Sequence, residues 1–180
     1  MMHNLIPLAA LGPRICIMGP SNSGKSTFAK AIADTTQFPV VHLDRLFHLP
    51  DTRWQARSQE AFFALHDEAI KGDCWIMEGN YHRCLKTRMA RATGLIVLDV
   101  SLPRMLSRYF YRTLFQRDRV GGVLPENQRD RITGEMLKYL LFATPQKRTQ
   151  LQKVFAKCDL PKLWLASPQQ VHACYRAWSL

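Results

Sequence analysis

The chain has 180 residues, enough for one domain with a substantial core, and with 47% hydrophobic and 22% charged residues it is not a disordered or low-complexity protein. The 25 basic and 14 acidic residues give a net charge of +11, which predicts an anionic partner such as a nucleotide or a nucleic acid. The five cysteines form no C-x-x-C pair, and the apolar run at 5–11 is too short for a membrane span and lacks a basic flank. We therefore expect a cytoplasmic protein without membrane association.

The apolar residues alternate between runs of strand length and stretches with helical spacing. The first run, 14–18, ends in a glycine-rich turn, and a helix is predicted directly after this turn. Four more strands are predicted, at 40–44, 74–78, 95–100 and 162–166. The other predicted helices begin at about 58, with an inner face of Ala61, Phe62, Leu65 and Ala69, and cover 102–116, 130–143, 145–157 and the residues after Ser167.

The predicted strands are apolar throughout rather than at every second residue, which is typical of a parallel sheet covered by helices on both faces. The sequence therefore predicts an α/β protein with three layers, α/β/α, around a five-stranded parallel sheet. In such sheets ligands bind beyond the carboxyl ends of the strands. Asp44, Glu78 and Asp99 lie at or near such ends, and so does the loop that begins at Gly19.

Residues Gly19 to Ser26, GPSNSGKS, satisfy the phosphate-binding pattern G-x-x-x-x-G-K-[ST] in full. Phosphate oxygens need several backbone N–H groups turned inward, which requires glycine where the chain wraps closely, and a helix N-terminus adds a positive dipole end. We expect Lys25 to reach the β- and γ-phosphates of ATP, Ser26 to bind Mg²⁺ and Thr27 to support the α-phosphate. The predicted nucleotide-binding residues of this loop are Gly19, Ser21, Asn22, Ser23, Gly24, Lys25, Ser26 and Thr27.

A phosphate-binding loop needs a carboxylate to hold the metal, usually through water, from the end of a neighbouring strand. Glu78 and Asp99 are both candidates, and we favour Glu78 because the glycine after it lets another group approach closely. Asp44 has two interpretations of equal weight. It is a helix or turn cap, as is common for Asp at such a position, or it acts on the acceptor hydroxyl as a base or orienting group, or as a metal ligand.

Five arginines lie between 104 and 119, together with a single acidic residue, Asp118. Arg104, Arg108 and Arg112 are spaced four apart and would form one stripe on a helix, which repels itself unless an anion lies on it. Arginines stabilise the charge that spreads over the γ-phosphoryl oxygens during transfer. We therefore expect Arg108 and Arg112 to contact the nucleotide and to act in catalysis, and the alternative is a solvated charged face.

These motifs make the sequence resemble the nucleoside-monophosphate-kinase-like branch of P-loop proteins, and most closely the DNA topology modulation proteins. The resembling segments extend over most of the chain beyond residue 13, and they are 19–27, 41–47, 74–81, 95–112 and 143–148. The resemblance implies an acceptor region at about 44–57 and an arginine-bearing helical lid at about 112–131 that closes over ATP.

In related kinases the strand before the acceptor helix ends in Asp-Gly, which Glu78-Gly79 matches here with a longer carboxylate. An arginine shortly after it contacts the phosphate of the substrate, and Arg83 and Arg88 are the candidates for this contact. The resemblance therefore implies a substrate site formed by Asp44, Glu78, Gly79 and one of these two arginines.

The leading hypothesis is an enzyme that transfers the γ-phosphoryl group of ATP, with Mg²⁺, to a small acceptor bearing a hydroxyl or phosphate group. One alternative is an ATP-dependent regulator that binds nucleic acid, with the arginine stripe on backbone phosphates. The sequence contains no recognisable DNA-reading module, so charge alone would give salt-sensitive, non-specific binding. The other alternative is a simple NTPase with water as the acceptor.

Overall fold

The computed structural model describes residues 5–52, 54–115, 132–138, 140 and 144–180. The strands are β1 (Arg14–Met18), β2 (Val40–His42), β3 (Trp75–Glu78), β4 (Gly94–Leu98) and β5 (Lys162–Leu165). All pair in parallel, in the order β2-β3-β1-β4-β5. The α-helices are α1 (Lys25–Thr36), α2 (Leu43–Phe47), α3 (Gln59–Ala69), α4 (Leu85–Arg91), α5 (Leu102–Phe115), α6 (Gly134–Lys138), α7 (Thr144–Lys157) and α8 (Pro168–Trp178), and two short 3-10 helices cover Leu8–Leu11 and His82–Cys84.

The two faces of the sheet are buried in two separate cores, because side chains alternate along each strand. On β1, Ile15 and Ile17 face the core that α1 and α8 cover, whereas Cys16 and Met18 face the core that includes α2 and α7. All four of these side chains are at most 1% exposed. The structure thus confirms the predicted α/β protein with three layers around a five-stranded parallel sheet.

The strand order places β1 between β3 and β4, because the chain crosses from β1 to one side of the sheet at β2 and later crosses from β3 to the other side at β4. Ile17 lies opposite Glu78 on one side, and Met18 lies opposite Val97 on the other. Parallel α/β sheets bind their ligands where the strand order reverses in this way. The loop that follows β1 begins at this point.

Three strands, β2, β4 and β5, end earlier than the sequence predicts. β2 stops at His42, and Asp44, expected at the end of this strand, lies in the first turn of α2 instead. The helix starts here because Leu43 is completely buried and packs against Gly79, where a Cβ would lie 2.9 Å from the Leu43 Cβ. β4 also ends one residue before Asp99, which therefore lies beyond the strand rather than inside it.

Helix α3 begins after Ser58, as predicted, and the Ser58 hydroxyl accepts a hydrogen bond from a backbone N–H of the first turn at 3.2 Å. The inner face of α3 differs from the prediction. Phe62 is buried, but Leu65 is 39% exposed and His66 is completely buried instead. His66 pairs through Nδ1 with Asp67 Oδ1 at 3.0 Å, which reduces the cost of burying its ring. The spacing of apolar residues does not predict a buried histidine.

The last helix, α8, starts at the predicted position with a capping box formed by Ser167 and Gln170. Of the helix predicted over 130–143, the structure describes α6. Residues 116–131, which make up most of the predicted lid, lie outside the described residues, as does the side chain of Arg112. No helix in the described part of the chain is long and apolar enough to cross a membrane.

Candidate functional site

The loop at 19–27 connects β1 to α1, which is the strand, turn and helix arrangement that a phosphate-binding loop requires. Two of its residues have backbone angles that favour glycine, since φ is +152° at Gly19 and +101° at Gly24. A Cβ at Gly19 would lie 2.2 Å from the Leu98 carbonyl oxygen, and a Cβ at Gly24 would lie 2.9 Å from Arg108 Nη2. The loop is therefore packed tightly against the end of β4 and against α5.

The interior of this loop holds the polar side chains of Asn22 and Ser23, which are buried. Asn22 and Ser23 are only 8% and 3% exposed, yet the Asn22 carboxamide and the Ser23 hydroxyl have no hydrogen-bond partner among the described residues. Lys25 is the first residue of α1, and its Nζ donates to the Pro20 carbonyl at 2.9 Å. Because buried polar groups are normally hydrogen-bonded, these groups fit a ligand rich in oxygen atoms, such as the phosphates of a nucleotide.

Glu78, at the end of β3, lies beside the first turn of α1. Its Oε1 accepts a hydrogen bond from the Ser26 hydroxyl at 3.0 Å and lies 2.9 Å from His42 Nδ1. Burial alone would raise the pKa of the Glu78 carboxyl, but the hydrogen bond with His42 and the charge of Lys25 outweigh burial and lower this pKa below its ordinary value. Glu78 is therefore a charged carboxylate next to the serine of the phosphate-binding loop.

Magnesium is the metal that the loop pattern implies, and Ser26 and Glu78 supply the oxygen ligands that it prefers. Within the residues that the structure describes, no three His, Cys, Asp or Glu side chains are arranged to hold a metal ion. A cation here would thus need phosphate oxygens and water in addition to these two residues, which is how Mg²⁺ is usually held with nucleotides. The residues present fit this metal.

Asp99, the other carboxylate considered for the metal, is paired elsewhere. Arg148 of α7 donates from Nε to Asp99 Oδ1 at 2.6 Å and from Nη2 to the Val100 carbonyl at 2.6 Å. These bonds tie the loop after β4 to α7. Of the two candidates, it is Glu78 that contacts Ser26.

Asp44 and Tyr81 form a second polar pair beyond the ends of β2 and β3. The Tyr81 hydroxyl donates to Asp44 Oδ1 at 2.6 Å. Tyr81 also packs on Phe47 and Phe62, with ring centroids 5.1 and 5.2 Å apart. A side chain from beyond the neighbouring strand end thus contacts the Asp44 carboxylate, and the N-cap position of α2 is occupied by His42.

The two arginines expected to contact a substrate phosphate lie in different environments. Arg88, on α4, is 1% exposed and donates from Nη2 to the carbonyl oxygens of Gly79 and Asn80 at 3.3 and 3.0 Å. Arg88 thus supports the turn after β3 from inside. Arg83 is exposed and donates from Nη1 to Gln59 Oε1.

Arg108 lies on α5 with its guanidinium against Gly24. It forms no salt bridge with the acidic side chains that the structure describes. Desolvation, and secondly the charge of Arg104, lower the pKa of Arg108. Among the described residues no acidic side chain pairs with this guanidinium, which lies at the N-terminus of α1, where the helix dipole also favours an anion. Arg112 lies one turn further along α5.

No protein-family model matches the chain, and no curated protein matches it. Solved structures do match. A shikimate kinase from Bacteroides thetaiotaomicron is 17% identical with a TM-score of 0.53, and the match covers 93% of this chain and 99% of that chain. A gluconokinase from Sinorhizobium meliloti is 16% identical with a TM-score of 0.50, covering 94% and 93%. The chain has the P-loop kinase fold. At these identities the likeness establishes the fold alone.

Three residues at the candidate site of this P-loop kinase fold were not identified from the sequence, namely His42, Asn80 and Tyr81. Asn80 accepts a hydrogen bond from the Gly19 N–H at 3.1 Å and donates to the Gly19 carbonyl at 2.9 Å. All three lie at or just beyond the carboxyl ends of β2 and β3. This position is the signal that could have identified them, because ligands of parallel sheets bind there.

Proposed function

We propose that this protein is a phosphotransferase that moves the γ-phosphoryl group of ATP to a small acceptor. The observation that carries the proposal is the position of Glu78, a buried, charged carboxylate 3.0 Å from the hydroxyl of Ser26 in the phosphate-binding loop. This arrangement suits a nucleotide with Mg²⁺. Two of the proteins that share the fold are a shikimate kinase and a gluconokinase, which supports phosphoryl transfer as the reaction.

On the nucleotide side, backbone N–H groups of residues 19–27 surround the phosphates and Lys25 neutralises the β- and γ-phosphates. Ser26 would hold Mg²⁺ through its hydroxyl, and Glu78 would hold it through water. When bound, Mg²⁺ would supply positive charge that helps to neutralise the phosphate oxygens. Arg108, already at Gly24, adds positive charge at the γ-phosphoryl group.

The proposed lid at about 112–131 supplies further arginine, beginning with Arg112, and closes over ATP. On the acceptor side, the proposed region is about 44–57 together with Gly79. Asp44 orients the acceptor hydroxyl or accepts its proton, from a position fixed by Tyr81. Arg83, which is exposed beside the turn after β3, binds an anionic group of the acceptor.

The narrower resemblance to DNA topology modulation proteins fits the same fold, and we propose that phosphoryl transfer is the chemistry behind it. We propose further that the chain forms one kinase-like domain and works in the cytoplasm, where ATP is abundant and its five free cysteines stay reduced.

An acceptor screen tests the proposed function. Purified protein is supplied with Mg²⁺ and ATP, and ADP formation is followed against nucleoside monophosphates, nucleosides and small hydroxyl metabolites. We expect one class of compound to raise ADP formation above the rate with water. Lys25→Ala should abolish this rise, and Lys30→Ala, an exposed residue of the same helix that pairs with Asp34 at 2.8 Å, should retain it.

If no compound raises ADP formation, the phosphotransferase proposal fails and a simple NTPase remains. DNA binding measured at low and moderate salt then examines the alternative of a nucleic-acid-binding regulator. Activity that survives in Lys25→Ala would remove the phosphate-binding loop from the reaction altogether.

A further inference from the structure

We propose that Asn80 is a positioning residue that fixes the conformation of the phosphate-binding loop through a two-point bond to Gly19. The Gly19 N–H donates to Asn80 Oδ1 at 3.1 Å, and Asn80 Nδ2 donates to the Gly19 carbonyl at 2.9 Å. The two residues are 61 positions apart in the sequence, so the contact depends on the tertiary structure. The inference rests on the proposed function, because it concerns the loop that binds the nucleotide.

The two-point bond extends the sheet by one step into the loop. β1 and β3 pair as far as Ile17 and Glu78, and the backbone bond beyond this pair runs from the Gly79 N–H to the Ile17 carbonyl at 3.1 Å. Beyond it, the side chain of Asn80 contacts Gly19, the first residue after the end of β1. A carboxamide offers a donor and an acceptor like those of a peptide group. The Asn80 side chain therefore makes the two hydrogen bonds to Gly19 that a continuing strand would make through its backbone.

Gly19 is confined from the other side by β4. Its φ is +152°, and a Cβ there would lie 2.2 Å from the Leu98 carbonyl oxygen. The Gly19 carbonyl belongs to the same peptide plane as the nitrogen of Pro20, so fixing this carbonyl fixes the direction in which the loop starts. The next carbonyl, that of Pro20, accepts a hydrogen bond from Lys25 Nζ at 2.9 Å. The position of Asn80 therefore affects the position of Lys25, the residue proposed to bind phosphate.

Two further contacts hold the turn that carries Asn80. The buried Arg88 donates to the Asn80 carbonyl at 3.0 Å. The next residue, Tyr81, has φ of +25° and bonds to Asp44 at 2.6 Å. Because both neighbours fix the backbone of the turn, the Asn80 carboxamide has a defined orientation towards Gly19 before a nucleotide binds.

The matched pair Asn80→Ala and Thr93→Val separates positioning of the loop from general stabilisation of β1. Thr93 makes a two-point bond of the same kind at the opposite end of this strand, where its Oγ1 accepts from the Arg14 N–H at 2.8 Å and donates to the Arg14 carbonyl at 3.1 Å. Each substitution removes two hydrogen bonds to the backbone of β1 or its extension. Only the first removes them from the phosphate-binding loop.

Isothermal titration with ADP and Mg²⁺ measures nucleotide affinity, and urea unfolding measures stability. We expect Asn80→Ala to weaken ADP binding roughly tenfold, and Thr93→Val to change it less than about twofold, at a similar loss of stability. Equal ADP affinity in the two folded variants would overturn the role of Asn80 while leaving the proposed function standing. Wild-type protein that binds no ADP would overturn the proposed function, and the role of Asn80 with it.

A second variant and a second measurement keep the proposal testable if Asn80→Ala does not fold. Asn80→Asp retains an acceptor for the Gly19 N–H but replaces the donor to the Gly19 carbonyl with a charged oxygen, so we expect it also to weaken ADP binding. Amide hydrogen exchange of the ligand-free protein reports on the loop directly. The Gly19 N–H should exchange faster in the Asn80 variant than in wild type or Thr93→Val, and equal exchange in all three would contradict the proposal.

Discussion

His42 Nδ1 lies 2.9 Å from Glu78 Oε1, the same oxygen that accepts the Ser26 hydroxyl at 3.0 Å. The His42 and Glu78 side chains are 9% and 4% exposed. One carboxylate oxygen therefore joins the ends of β2 and β3 to the first turn of α1. Because two neighbours hold this oxygen, the Glu78 carboxylate has a fixed direction next to Ser26 before a ligand binds.

Glu78→Gln keeps the size of the side chain and removes its charge. We expect the Mg²⁺ concentration needed for half-maximal nucleotide binding to rise about 10- to 100-fold, as is common when a residue that holds a metal through water is changed. Titration of Mg²⁺ against ADP binding measures this, with Glu60→Gln on the exposed side of α3 as the control. An unchanged Mg²⁺ requirement in Glu78→Gln would remove Glu78 from the metal site.

Asp44→Asn tests whether this carboxylate acts on the acceptor hydroxyl. If Asp44 acts on the acceptor hydroxyl, we expect turnover with the acceptor to fall about 100-fold or more, while ADP affinity stays the same. Steady-state kinetics and ADP titration provide the two values. Asp51→Asn, an exposed residue in the same region, is the control. A loss of turnover below about threefold would mean that Asp44 only anchors Tyr81.

Arg108→Ala removes the positive charge that lies against Gly24. We expect turnover to fall about 100-fold and ADP affinity to fall much less, because this charge stabilises the transferring group more than the bound nucleotide. Arg104→Ala, which is exposed one turn earlier on α5, is the matched control for the loss of a cation. Equal losses in turnover and affinity would show that Arg108 binds the ground state alone.

We expect the buried Cys16 thiol to make the protein less stable at alkaline pH. The thiol is completely buried, and burial raises its pKa from 9.0 to about 11 against an opposing effect of Arg88. The native thiol keeps its proton where the unfolded chain has lost it, so this contribution is complete below pH 9 and is lost as the pH rises to about 11.

Across this pH window we expect the free energy of unfolding to fall by roughly 3 kcal/mol more in wild type than in Cys16→Ala. Urea unfolding of both proteins at the two ends of the window measures the difference, and the comparison removes the effect of lysines and tyrosines that titrate in the same range. Parallel pH profiles in the two proteins would show that the Cys16 thiol does not contribute.

The fold could be predicted because its strands carry a local signal. Ile15, Cys16, Ile17 and Met18 are all apolar since both faces of the sheet are covered, and such a run with a glycine-rich turn after it has few other interpretations. The loop between β1 and α1 was predictable for a similar reason. Its residues form one continuous motif whose backbone geometry requires glycine at Gly19 and Gly24.

The rest of the site depends on contacts between distant segments, which leave no local pattern. Asn80 and Gly19 meet only because β3 pairs with β1 in one register. Asp44 lies in a helix rather than at a strand end, and the preceding residue, Leu43, packs its side chain against Gly79. Arg88 was one of two candidates for the contact with a substrate phosphate, and its burial, with hydrogen bonds to the carbonyl oxygens of the turn after β3, leaves no signal in the sequence.

The decisive measurement follows the γ-phosphoryl group itself. ATP labelled in the γ-phosphate is incubated with Mg²⁺, purified protein and the acceptor from the screen, and the products are separated. With wild type and Lys30→Ala, the label should appear in a phosphorylated acceptor, and with Lys25→Ala it should remain in ATP. Label that appears only in inorganic phosphate, or transfer that persists in Lys25→Ala, would contradict a phosphotransferase built on this loop.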